Sequence, residues 1–125
     1  CSLGKCKISA CRYGLPRLLT GAILAHELMH AWLRMRNVAG LEPQVEEGLC
    51  QLMAVLWLDK EHNALVGDDM QQRLNSYFAY QIRQDQSEVY GDGFRIAYDA
   101  FQRGGGGMRG LASVVNSVLR TGRLQ

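Results

Sequence analysis

Apolar residues along this chain recur at intervals of three and four for most of its length, the spacing that lines one face of an α-helix. Leu15, Leu18, Leu19, Ala22, His26, Met29, His30 and Leu33 share a first stripe. After a turn containing Gly40 and Pro43, a second helix is expected from Gln44 to Asp59, with Leu49, Leu52, Met53, Leu56 and Trp57 on its apolar face. Asp68 or Asp69 can cap a third, whose apolar positions are Met70, Leu74, Tyr77, Phe78 and Ile82. Phe94, Ala97, Tyr98 and Phe101 form another stripe, and Met108 to Arg120 carries Leu111, Val114, Val115, Val118 and Leu119. Between them lie Gly104 to Gly107, the one low-complexity feature, which reads as a plain flexible connection. Lys7 to Tyr13 is the only plausible strand, with Ile8 its sole strong β-former. The pattern predicts a mainly α fold without repeats, with at most one or two short strands near the N-terminus.

Two positions break the apolar rule of the first stripe. His26 and His30 fall on the face that should be buried, and a buried polar ring without a partner is costly. With Glu27 they spell His-Glu-x-x-His. On a helix, residues four apart stand one turn above the other, so two imidazoles can point at one ion while Glu27 reaches over the open side. Zinc accepts imidazole nitrogen, and catalytic zinc sites take three protein ligands and leave a position for water. Glu27 would then be the base that takes a proton from that water. The uncharged neighbours Ala25, Leu28, Met29 and Ala31 suit a packed helix of this kind. These residues imply a zinc peptidase.

A third ligand must come from another element. Val45-Glu46-Glu47-Gly48-Leu49-Cys50-Gln51 puts two carboxylates at the start of the second helix, where proline and acidic residues suit the first turn. An antiparallel partner helix would bring one of them beside His30. Either glutamate would equally serve the helix dipole, so spacing alone leaves the choice between them open.

His-Glu-x-x-His followed by Glu-Gly on the next helix resembles the gluzincin zinc peptidases, in which the glutamate just before that glycine binds the metal. That resemblance implies a zincin-like domain in which Glu47 is the third ligand and Glu46 supports the site from outside. Many gluzincins also place an acidic residue four positions after the metal-binding glutamate. Here that position is Gln51, whose oxygen can accept the same hydrogen bond, so Gln51 or Glu46 is expected on the far nitrogen of His26 or His30. A longer run, from Tyr13 through the zinc motif to Leu33, then Val45 to Gln51, then Tyr90-Gly-Asp-Gly-Phe-Arg95, is similar to one plant family. Its members are ubiquitin-activated peptidases that restrict organ growth and carry LIM and ubiquitin-interacting segments before the peptidase region. The resemblance implies a C-terminal peptidase region acting on protein substrates, with ubiquitin engaged through upstream segments. Residues 1–12 and 104–125 depart from that family pattern.

At 125 residues the chain is expected to form one metallopeptidase domain, a fragment by its lack of an initiating methionine. Its 47% hydrophobic and 21% charged residues are those of a soluble globular protein. A net charge of +2, with the basic residues scattered, argues against a nucleic-acid partner, and no segment is apolar for long enough to span a membrane. Cys1, Cys6 and Cys11 recur every five residues, which is not the spacing of a zinc knuckle, and Cys50 reads as a small core residue. The cysteines favour a reduced, intracellular setting, cytoplasmic or nuclear.

Amide hydrolysis needs one more donor, for the oxyanion. His62 is expected in a loop, leaving Tyr90, Tyr77, Tyr80 and Arg95. Tyr90 is favoured because Tyr90-Gly91-Asp92-Gly93 lets the backbone set a phenol beside a helix start, although a tyrosine there can equally be packing. Two other readings compete with the peptidase: a zinc-binding but catalytically incomplete fragment acting as an interaction module, and a helical domain without metal. Zincin-type peptidases hold substrate against an exposed strand, and this chain offers only Lys7 to Tyr13. The isolated chain is therefore expected to bind zinc but to cleave poorly.

Overall fold

A computed structural model describes residues 17–125, so the candidate strand Lys7 to Tyr13 and the cysteines at positions 1, 6 and 11 lie outside the described residues. Among the described residues, five α-helices and one π-helical turn follow one another: α1 (Arg17–Met35), α2 (Pro43–Ala64), α3 (Asp69–Arg83), the π turn (Glu88–Asp92), α4 (Gly93–Arg103) and α5 (Gly107–Thr121). The expected mainly α class holds, and among the described residues there is no strand.

Local chemistry sets the helix ends. α1 stops where Asn37 takes a left-handed conformation (φ 60°) and Val38 N–H reaches back to the carbonyl of Leu33. Pro43 opens α2, where its missing N–H costs nothing. Asp68 caps α3 by accepting from Gln71 N–H at 3.1 Å. Gly105, Gly106 and Gly107 all have positive φ, so the glycine run is a tight left-handed reversal between α4 and α5 and not a loose connection. At Gly104 an added Cβ would lie 2.9 Å from Ser113 on α5, which brings the two helices close.

α1 and α2 form the centre of the fold, and their register can be read from four contacts. Arg17 pairs with Glu61, the Trp57 ring lies where a Cβ on Gly21 would be, His26 meets Gln51, and His30 meets Glu46. Numbers rise on one helix as they fall on the other, so the two run antiparallel. Leu18, Ala22, Ile23 and Leu33 bury against Leu49, Leu52, Val55 and Leu58. Phe94 and Ala97 of α4, Phe78 and Ile82 of α3, and Val114 and Val118 of α5 complete the core.

Three expectations are corrected. α2 runs to Ala64, five residues beyond Asp59, so His62 is helical and not in a loop. Met70 and Tyr77 are exposed, because α3 buries only the stripe containing Asn75, Phe78, Ala79 and Ile82. Leu28, expected to suit a packed helix, is exposed: with Trp32 and Met35 it borders an apolar groove, completed by Met53 and Trp57 of α2 and Met108 of α5.

Candidate metal centre

The antiparallel register sets His26 and His30 of α1 against the first two turns of α2. Glu47 presents one oxygen, Oε1, to both rings, 3.2 Å from His26 Nε2 and 2.6 Å from His30 Nε2. The two Nε2 atoms are themselves 3.2 Å apart. Two ring nitrogens and one carboxylate oxygen thus converge on a single point.

The far side of each ring is held separately. Gln51 Oε1 lies 2.9 Å from His26 Nδ1, and Glu46 Oε2 lies 2.5 Å from His30 Nδ1. Both oxygens can accept from Nδ1–H, and a neutral ring held in that tautomer offers its Nε2 lone pair for coordination. Gln51 is fully buried, and among the described residues its amide nitrogen has no partner. Burying a carboxamide with half its capacity unused is unfavourable. Such a residue makes sense where its oxygen has a ring to hold, and the ring's other nitrogen a task. The donor set of two imidazoles and a carboxylate is that of catalytic zinc sites.

Electrostatics fit the same picture. His30 is raised above the usual histidine range, chiefly by its hydrogen bond to Glu47, against the opposing effect of burial and with help from Glu46. Burial works against charge on Glu47, yet the hydrogen bonds from His26 and His30 outweigh it and hold this carboxyl far below its ordinary range. A dication would engage both rings and the Glu47 carboxylate at these same atoms.

Burial chiefly, with the charges of Glu47, Glu46 and half-buried Glu27 of α1, raises the Cys50 thiol, and Glu27 adds to the same effect at the Tyr90 phenol. Tyr90 projects from the π turn. Burial first, and then the Glu47 carboxylate, push its phenol up to about 12, so it keeps its proton at neutral pH. Ser87 starts that turn, its hydroxyl accepting from Tyr90 and Gly91 N–H, and Asp92 N–H closes the wide π ring on Ser87 O at 3.0 Å. π-helical turns occur often at functional sites.

The other donor candidates are elsewhere. Tyr77 and Tyr80 are exposed on α3, and His62 sits near the far end of α2. Arg95 donates to the carbonyls of Arg83 and Asp85 and pairs with Asp92, fastening the π turn to the end of α3. One residue was missed by reading the sequence. Cys50, taken as a small core residue, is buried as expected, but its sulfur also belongs to the donor group with His26, His30 and Glu47. The signal was its place three residues after Glu47, one turn along the same face of α2.

A glycine pair explains why these parts meet. A Cβ on Gly48 would lie 2.4 Å from the carbonyl oxygen of Gly93, and one on Gly93 would lie 2.6 Å from that of Gln44. Only glycine at both places lets the start of α4, with the π turn before it, lie directly on the first turns of α2.

Fold and site together define a class: a helical domain whose two central helices carry a His-Glu-x-x-His motif and a glutamate in a group able to hold a metal ion. Within that class the chain belongs to the DA1 family, whose model (DA1-like, Protein DA1) matches residues 2–69 and 65–120. Protein DA1-related 1 of Arabidopsis thaliana is 41% identical over 81% of this chain and 23% of its own length. Protein DA1 of the same plant is 39% identical over 95% of this chain and 25% of its own length. LIM domain-containing protein HDR3 of Oryza sativa subsp. japonica is 36% identical over 94% of this chain and 28% of its own length. The chain therefore spans about a quarter of the curated relatives it matches. No solved structure matches it. No helix among the described residues is long and apolar enough to cross a membrane.

Proposed function

We propose that this chain is the zinc-dependent peptidase portion of a DA1-family protein, of gluzincin type, hydrolysing peptide bonds of protein substrates. The observation that carries this reading is the convergence of His26 Nε2, His30 Nε2 and Glu47 Oε1 with both far ring nitrogens already occupied. His26, His30 and Glu47 would hold the ion; zinc, when bound there, supplies a Lewis acid that polarises the scissile carbonyl and acidifies water. Glu27 takes the proton from the attacking water and passes it to the leaving amine. Tyr90, protonated at neutral pH beside Glu47, donates to the oxyanion. Gln51 and Glu46 fix the ring planes so that neither imidazole swings out of line. In the same reading the protein works inside the cell, cytoplasmic or nuclear, under ubiquitin control exerted through segments outside this chain.

The test pairs metal content with cleavage of an unfolded protein substrate. The unaltered chain should hold one zinc and cleave slowly. Glu27→Gln should keep the zinc and lose at least about 100-fold in cleavage, the scale of general-base catalysis. His26→Ala should lose zinc and cleavage together. Zinc retained by His26→Ala, or cleavage indifferent to Glu27→Gln, would sink the proposal.

A further inference from the structure

Each central helix brings two donors to the centre. α1 contributes His26 and His30, four residues apart, and α2 contributes Glu47 and Cys50, three apart, so each pair stands on one face of its helix. The ligand atoms of all four lie within 4.8 Å of one another. Cys50 is fully buried, so its sulfur meets the group from the core side.

We propose that Cys50 is a fourth protein ligand of the ion, making the resting centre of this chain a closed set of two imidazoles, a carboxylate and a thiolate. The inference rests on the reading that His26, His30 and Glu47 hold zinc, and it deepens that reading. Thiolate sulfur is among the preferred ligands of zinc, and four protein donors are the mark of closed sites, whereas catalytic ones keep a position for water. A donor fixed to the same helix as Glu47 competes with water at a high effective concentration. The exchange balances simply. On ligation the S–H proton leaves to solvent and the sulfur takes the position; when the sulfur withdraws it recovers a proton, and the position opens. The chain's hydrolytic chemistry is thereby latent, and opening the centre means displacing Cys50.

The experiment uses the whole 125-residue chain. X-ray absorption at the zinc edge should show one sulfur scatterer at about 2.3 Å beside nitrogen and oxygen. The cobalt-loaded chain should show a thiolate charge-transfer band in the near ultraviolet. Cys50→Ser should abolish the band while still binding one ion, and a variant with serine at positions 1, 6 and 11 should keep it. A metal-loaded chain with only nitrogen and oxygen around the ion overturns the inference and leaves the three-ligand site standing. A band that survives in Cys50→Ser and disappears in the triple variant overturns it as well. Failure of the chain to bind any ion overturns both readings. Repeated on the variant with serine at positions 1, 6 and 11, in which Cys50 is the one remaining cysteine, the absorption measurement decides the matter even if Cys50→Ser fails to fold.

Discussion

His26 and His30 are chemically alike, but the oxygens that hold them are not: one is a neutral carboxamide, the other a carboxylate. A carboxylate makes its histidine a more basic ligand, whereas Gln51 orients His26 without adding charge to a buried position. Gln51→Leu would leave Nδ1–H of a fully buried ring without an acceptor. We expect it to cost about 1–3 kcal/mol of stability, followed by denaturant unfolding. Zinc affinity should drop by about 10–100-fold, measured against a competing chelator. Gln51→Glu should recover the affinity, because it restores the acceptor. Equal zinc affinity in Gln51→Leu and the unaltered chain would show that the carboxamide does not support His26.

Among the elements, the contact between α2 and the start of α4 is the least forgiving. An alanine in place of glycine inside a helix ordinarily stabilises it by up to about 1 kcal/mol. Gly48→Ala should do the reverse, because its Cβ meets a backbone carbonyl that has no rotamer to change. A loss of about 1–3 kcal/mol, the scale of overpacking, is expected in chemical denaturation. A gain would mean that the two elements separate freely. The sequence made the long, strongly patterned stretches legible and left the short ones obscure. α1 and most of α2 announce themselves by apolar spacing, but the last turn of α2, Lys60 to Ala64, carries no apolar stripe. It is helical because Lys60, Glu61 and Ala64 form helix readily and because Arg17 and Gln72 bind to it at Glu61 and the His62 carbonyl. The π turn gave no periodic signal, being one widened ring set by Ser87 and two glycines. The glycine run misled in the other direction, since composition does not distinguish a loose linker from a reversal needing positive φ.

Considered whole, the molecule has a firm centre and a lightly attached edge. α5 packs chiefly on α4, and along its Met108 side an apolar groove opens towards the two central helices. Hydrogen exchange should therefore proceed in α5 before α1 and α2. Added zinc should slow exchange in α1 and the first half of α2 while leaving α5 unchanged. Equal protection throughout, or a zinc effect on α5, would contradict this division. The site was readable at this scale only as far as partners share a helix face. His26 and His30 are tied by spacing, and Glu47 followed from a family likeness. The place of Tyr90 depends on a backbone contact between Gly48 and Gly93, far apart in the chain, which no local pattern encodes. That contact has a mechanical consequence. Because Gly48 and Gly93 touch main chain to main chain, the two backbones that carry Glu47 and Tyr90 have no side chain between them to act as a shim. Their spacing is set by a ruler with no adjustment screw, and only a movement of whole elements could change its length.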